Sequence, residues 1–122
     1  MILNFIMMKK VIVQDTDSDL LETMTIILEE AFYEVLPILN YHDVLQEIGT
    51  FKPKLVLLDY MLSGEESKQL CKTIKRHFPG IPIVAYSCNH QIKDEFAQAG
   101  FDDFINKPFE LDELFVVLRK YL

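Results

Sequence analysis

A chain of 122 residues, half of them hydrophobic, suits one domain that buries its own core and leaves no room for a second folded unit. The formal charge of −7 argues against gripping nucleic acid or an anionic membrane through the overall field, and it favours a metal cation or a basic partner. Two cysteines, Cys71 and Cys88, without paired ligands nearby, suggest neither a disulfide framework nor a zinc site.

Residues 1–8 are apolar, far short of the roughly 20 needed to span a bilayer. Lys9 and Lys10 follow this stretch rather than precede it, which is the wrong order for a signal peptide. The expectation is an apolar N-terminal extension over 1–8, then a single cytoplasmic domain over 9–122 with no output domain.

Val11, Ile12 and Val13 form a short strand, and the loop Gln14-Asp15-Thr16-Asp17-Ser18-Asp19 crowds three carboxylates behind it. Leu20, Leu21, Met24, Ile27, Leu28 and Ala31 recur at helical spacing, with Asp17 or Ser18 as N-cap. Residues 33–39 read as a strand, and Pro37, which has no N–H for a ladder, assigns it to a sheet edge. Asn40 is placed to cap a short helix carrying Val44, Leu45 and Ile48. The apolar run Leu55-Val56-Leu57-Leu58 has the composition of a buried parallel strand, and it ends in Asp59. Leu70, Cys71, Ile74 and Phe78 mark a helix closed by Pro79-Gly80. Residues 81–86 form the next strand, ending at Ser87, and Ile92, Phe96 and Ala99 form a helical face terminated by Gly100. A last strand over 101–105 precedes Asn106-Lys107-Pro108-Phe109. The final helix, 110–122, carries Leu111, Leu114, Phe115, Leu118 and Leu122 on one stripe and leaves Val116 off it.

Five strands alternating with five helices predict an α/β, doubly wound (βα)5 three-layer sandwich with right-handed crossovers. With the strands parallel, Asp15, Asp17, Asp59, Ser87 and Lys107 all fall at carboxyl ends on one edge of the sheet, where such folds build their sites. Asp15 and Asp59 offer oxygen ligands to a hard cation such as Mg²⁺. Lys107 and Ser87 could bind phosphoryl oxygens, which makes Asp59 a nucleophile for a covalent aspartyl phosphate. Taken singly, each residue also has an ordinary role as a turn residue, helix cap or solvated lysine. Their convergence is what points to chemistry.

Over residues 9–122 the chain resembles a response-regulator receiver domain of two-component signalling, of the chemotaxis-regulator type. The likeness rests on Leu55-Val56-Leu57-Leu58-Asp59-Tyr60-Met61-Leu62, Pro82-Ile83-Val84-Ala85-Tyr86-Ser87 and Gly100-Phe101-Asp102-Asp103-Phe104-Ile105-Asn106-Lys107-Pro108-Phe109. It implies a flavodoxin-like fold with strand order 2-1-3-4-5. Asp59 would be the phosphoacceptor, the Met61 backbone carbonyl a metal ligand beside Asp15 and Asp59, Ser87 and Lys107 the phosphoryl contacts, and Ser87 with Phe104 the switch. The Lys107-Pro108 bond would be cis. The implied cofactor is Mg²⁺, and the implied donor is a histidine kinase or histidine phosphotransfer protein. The output would be a protein-binding surface over 91–99, 101–105 and 110–122, read by a downstream protein or by a phosphorylation-dependent second copy, with no nucleic acid or membrane. Such a phosphoprotein is not a dedicated enzyme and shows only weak autophosphorylation and autodephosphorylation.

Three positions depart from the pattern. Thr16 stands where a second adjacent carboxylate is usual, with Asp17 next to it as a substitute ligand. Ser63 and Ser67 replace a proline and a glycine and are expected to loosen the loop after Asp59. Two other readings stand beside this one. Asp15-Thr16-Asp17 also looks like the start of a haloacid-dehalogenase phosphatase, with Asp15 as nucleophile and Asp17 as general acid. Thr16 also suits a pseudo-receiver that docks without phosphorylation. No Gly-x-Gly-x-x-Gly follows any strand, which disfavours a nucleotide-binding fold.

Overall fold

The computed structural model describes residues 8–60, 64–88 and 92–122, so most of the apolar N-terminal stretch lies outside the described residues. The elements run β1 Lys10–Gln14, α1 Ser18–Glu30, β2 Glu34–Ile38, a 3-10 turn Tyr41–Asp43 leading into α2 Val44–Phe51, β3 Leu55–Asp59, α3 Glu65–His77, β4 Ile83–Ser87, α4 Ile92–Glu95, β5 Asp103–Asn106 and α5 Leu111–Tyr121. The five strands form one parallel sheet in the order β2-β1-β3-β4-β5. This is the flavodoxin-like arrangement expected from the sequence. Among the described residues no helix is long and apolar enough to cross a membrane.

Strand parity divides the core in two. Ile12, Val56, Leu58 and Ile83 face α2, α3 and α4, where Val44, Ile48, Ile74 and Ile92 meet them. Val11, Val13, Leu55 and Leu57 face α1 and α5, where Met24, Leu28, Leu114 and Leu118 pack. Leu55, Val56, Leu57 and Leu58 are each 0% exposed, and full burial of such side chains stabilises by about 1.5–3 kcal/mol apiece. The central strand is therefore held from both faces, and its last residue, Asp59, inherits that rigidity. Cys71 and Cys88 are both free, and burial pushes the Cys71 thiol up to about 12.

Pro37 sits on the edge strand as expected, and its orientation explains why it is tolerated. The Glu34 amide donates to Lys9 and the Ile38 carbonyl accepts from Asp15, so even-numbered β2 residues face β1 and the Pro37 nitrogen faces outward. Its missing N–H costs the sheet nothing and denies the open edge a donor.

Helix ends show where local chemistry agrees with the chain and where it does not. Asp17 caps α1, accepting from the Asp19 and Leu20 amides. The helix closes as a Schellman motif, Tyr33 N–H to the Leu28 carbonyl and Phe32 N–H to the Glu29 carbonyl, which puts Phe32 at φ 69°, a conformation suited to glycine. Phe32 is also 71% exposed, so its packing among the described residues offers little compensation. Phe32→Gly is therefore expected to raise stability by about 1 kcal/mol, the left-handed penalty less the entropy of the glycine, read as a higher urea midpoint. A second Schellman motif at Gly100, φ 99°, joins Phe101 N–H to the Phe96 carbonyl and ends the α4 segment as predicted. The regular helix spans only Ile92–Glu95, however, and Phe96 and Ala99 lie in the turns beyond it.

Two expectations for the other helices are corrected. Asn40 caps the 3-10 turn through the His42 amide rather than α2 itself, whose N-cap is Asp43. The buried stripe of α5 is Leu114, Val117 and Leu118, while Leu111 is 52% exposed. Leu111 is the first residue of its helix, and helical side chains lean toward the N-terminus, so it projects off the end of the core. Val116, 51% exposed, stays off the stripe as read.

Candidate functional site

Asp15 follows the last residue of β1, Asp59 and Ser87 end β3 and β4, and Lys107 follows β5, its amide donating to the Ser87 carbonyl at 2.8 Å. Parallel strands bring all four to one edge. The Lys107-Pro108 bond is cis. The Lys107 ammonium lies 2.9 Å from Asp15 Oδ2 and 2.9 Å from Asp59 Oδ1. Two carboxylates from different strands thus share one cation, and none of the three side chains is more than 13% exposed.

The two carboxyl groups are driven apart electrostatically. Burial pushes Asp59 above the ordinary carboxylate range against the pull of Lys107, and the charge on Asp15 adds to the rise. Burial pushes Asp15 the same way, but donation from the Asp17 amide, Lys107 and the Tyr86 hydroxyl outweighs it and brings the carboxyl below its ordinary value. Burial pulls Lys107 down, yet its two carboxylate partners hold it above the usual ammonium value. Of the two carboxylates, Asp15 is the one whose charged form its surroundings favour.

Among the described residues, the hydroxyls of Tyr41, Ser67 and Tyr86 add contacts missed in the sequence. Tyr41 and Ser67 each donate to the Asp59 backbone carbonyl at 3.0 Å. Ser67, expected to loosen the loop after Asp59, thereby ties α3 to the end of β3, while residues 61–63 of that loop, Ser63 among them, lie outside the described residues. Tyr86 reaches Asp15 Oδ2 at 2.9 Å. No sequence pattern announces these contacts, since they join residues 8 to 71 positions apart. At the entrance to α3, Gly64 has φ 80°, and a Cβ there would lie 2.2 Å from the Tyr60 ring. Only a residue without a side chain lets Tyr60 close down beside the site.

The switch candidates occupy the opposite face of the sheet. Ser87 donates to the Tyr60 carbonyl at 3.3 Å, and Phe104 is half-buried with its ring 5.0 Å from that of Phe96. Ser87 and Phe104 lie on neighbouring strands, where Ser87 pairs with Asn106 and Ala85 with Phe104.

For a divalent cation the donor set is chemically suitable but thin. Among the described residues no three His, Cys, Asp or Glu side chains gather as ligands. Asp15 and Asp59 nevertheless converge on one positive centre, the Lys107 ammonium, which shows that both lie within reach of a single cation. One or two carboxylates with water is the usual Mg²⁺ environment, so the residues fit that ion. Thr16 is exposed. The carboxylate of Asp17, the expected substitute ligand, is engaged in capping α1, and releasing a cap costs about 1 kcal/mol. Met61, whose carbonyl was the third expected ligand, lies outside the described residues.

Residues 11–119 match the family model described as the response regulator receiver domain. The chain is 31% identical over 118 residues to the DNA-binding response regulator MtrA of Mycobacterium tuberculosis, covering 95% of this chain and 51% of that protein. It therefore spans about half the length of the curated relatives it matches. Among solved structures, the N-terminal domain of the nisin resistance regulator NsrR, a lantibiotic response regulator, shares 30% identity at a TM-score of 0.81 over 93% of this chain and 97% of that one. The response regulator TrrA of Thermotoga maritima, in complex with Mg²⁺-BeF, shares the fold at a TM-score of 0.84 and 23% identity, over 94% of this chain and all of that one.

Proposed function

Because the chain belongs to the response regulator receiver domain family, whose members are phosphorylation-based signalling domains rather than dedicated enzymes, we propose that Asp59 accepts a phosphoryl group from a phosphohistidine of a histidine kinase or phosphotransfer protein. The observation that carries this reading is the pair of buried carboxylates, from β1 and β3, sharing the Lys107 ammonium. A carboxylate oxygen of Asp59 attacks phosphorus, the bond from phosphorus to the histidine nitrogen breaks, and the imidazole leaves with that electron pair. Lys107 turns from the carboxylates to a phosphoryl oxygen, and the Ser87 hydroxyl turns from the Tyr60 carbonyl to another. Asp15, Asp59 and the Met61 carbonyl would hold Mg²⁺, which when bound neutralises charge on the incoming phosphoryl group. Drawing Ser87 inward vacates space for Phe104, and the change is read on the face of α4, β5 and α5 by a downstream protein or a second copy.

Incubation with acetyl phosphate and Mg²⁺ is expected to add the mass of one phosphoryl group to the intact wild-type protein and none to Asp59→Asn. A wild type of unchanged mass would favour the docking reading, for which the neutral Thr16 is the specific support. Labelling that persists in Asp59→Asn but is lost in Asp15→Asn would favour the phosphatase reading. Against the latter, Asp17 is engaged as a helix cap and both Asp15 oxygens already accept hydrogen bonds. The stand-alone arrangement belongs to the same proposal, its test being the mass of the protein in its own cell.

Thr16→Asp is expected to tighten Mg²⁺ binding by ~10-fold or more, since losing even an outer-shell partner costs ~10–100-fold. Calorimetric titration of the metal checks this, and unchanged affinity would show that water or Asp17 already does the work of the missing charge.

A further inference from the structure

Tyr86 is a buried polar side chain at the site with no part in the phosphoryl chemistry above. It lies on β4, two strand positions from β1 with β3 between, a span of about 9.6 Å at ordinary strand spacing. Its hydroxyl nevertheless lies 2.9 Å from Asp15 Oδ2 and 2.9 Å from the Gln14 carbonyl oxygen. Tyr86 pairs in register with Asp59, and the two share the sheet face of Val84 and Leu57, so the phenol passes beside the nucleophile to reach its companion carboxylate. The Lys107 ammonium sits 4.3 Å from the centroid of the same ring, within the range of a cation–π contact.

A carboxylate presents about four lone-pair sites. On Asp15, Oδ1 accepts the Asp17 amide at 2.9 Å, and Oδ2 accepts Lys107 and Tyr86. In the proposed step the Lys107 ammonium, which spends two of its three donors on Asp15 and Asp59, turns from Asp15 to a phosphoryl oxygen. Once it does, the Asp17 amide and the Tyr86 hydroxyl are, among the described residues, the donors left to keep the carboxylate oriented. The Gln14 carbonyl, fixed in β1, keeps the hydroxyl from swinging away, since its proton passes between two acceptors of the same strand end.

We propose that Tyr86 is a positioning residue of the acceptor site, its hydroxyl orienting the Asp15 carboxylate for a cation and its ring face seating the Lys107 ammonium beside Asp59. The inference rests on the reading of Asp15, Asp59 and Lys107 as the acceptor machinery. A tyrosine that only fills the core would serve through its ring alone, so Tyr86→Phe separates the two roles.

In metal-free protein, Tyr86→Phe is expected to shift the NMR signals of the Asp15 carboxyl carbon and the Asp17 amide while leaving the Lys107 ammonium signal in place. Its Mg²⁺ dissociation constant should rise ~10-fold, the lower end for losing a partner that orients a ligand. Tyr86→Leu removes the ring face as well and should also displace the Lys107 signal and slow modification by acetyl phosphate at saturating Mg²⁺. Unmoved Asp15 and Asp17 signals in Tyr86→Phe, with Mg²⁺ affinity within ~2-fold of wild type, would overturn the proposal whatever the variant's thermal stability. If Tyr86→Leu does not fold, Tyr86→Phe decides alone. If wild type takes neither Mg²⁺ nor a phosphoryl group, the acceptor reading fails, and the metal-free Asp15 and Asp17 signals still decide whether Tyr86 orients Asp15.

Discussion

Lys107→Met is expected to destabilise the fold by about 3–5 kcal/mol near neutral pH, the range for removing one partner of a buried ion pair, and to abolish phosphoryl acceptance. The lysine is the cation common to Asp15 and Asp59, so its removal leaves two carboxylates facing each other out of water. The pH dependence identifies the cause. Asp15 has a folded value below 3.8, so its contribution is present above 3.8 and is lost as pH falls through the folded value. Lys107 has a folded value above 10.5, so its contribution is complete below 10.5 and is lost as pH rises through the folded value. The deficit of Lys107→Met should therefore be widest between these limits and shrink in acid, where the carboxyls protonate. Urea unfolding across that range measures it, and a deficit independent of pH would assign the loss to packing of the lysine stem instead.

Asp59→Asn should lose all covalent modification and yet be more stable than wild type at neutral pH. The Asp59 carboxyl is raised by burial and by the Asp15 charge beyond what Lys107 recovers, which means that the folded state pays to keep it ionised. Below 3.8 the group is protonated in folded and unfolded chains alike and the penalty is absent; it grows as pH rises from there and is complete above the folded value. The asparagine carries no charge to bury, and its amide oxygen still offers Lys107 an acceptor. Urea midpoints for the two proteins should thus diverge at neutral pH and converge in acid. A variant less stable than wild type at neutral pH would show that the pairing with Lys107 outweighs burial.

What could be read from the chain was what depends on neighbours in sequence. Continuous apolar runs marked β1, β3 and β4 because strands buried on both faces need no alternation, and Pro37 marked the edge because a ladder cannot use it. The carboxyl-edge residues were legible because parallel topology alone carries Asp15, Asp59, Ser87 and Lys107 to one end. Contacts made across the sheet were not legible. Tyr86 looked like one more apolar strand residue, and only the register of β4 against β3 and β1 reveals that its hydroxyl meets Asp15. The hydroxyl of Ser67 meets the Asp59 carbonyl across the end of β3, a contact that no local pattern announces. Asp17 read as both cap and ligand, and the structure gives its carboxylate to the cap. The α5 stripe was misjudged at Leu111 and Val117 because periodicity fixes the direction of a helix face but not where its support ends.

The arrangement of Lys107 between Asp15 and Asp59 also makes this charge cluster depend on the completed sheet. Parallel strands cannot close as hairpins, and the Lys107–Asp15 contact joins residues 92 positions apart, so the loop-closure entropy must be met before either charge finds its partner. A chain that has formed only β1 and β3 lacks the Lys107 ammonium that stands beside Asp59 in the complete sheet. On the proposed acceptor role of Asp59, such a chain is expected to take up phosphoryl groups poorly, so that modification by acetyl phosphate should track completion of the sheet through β5.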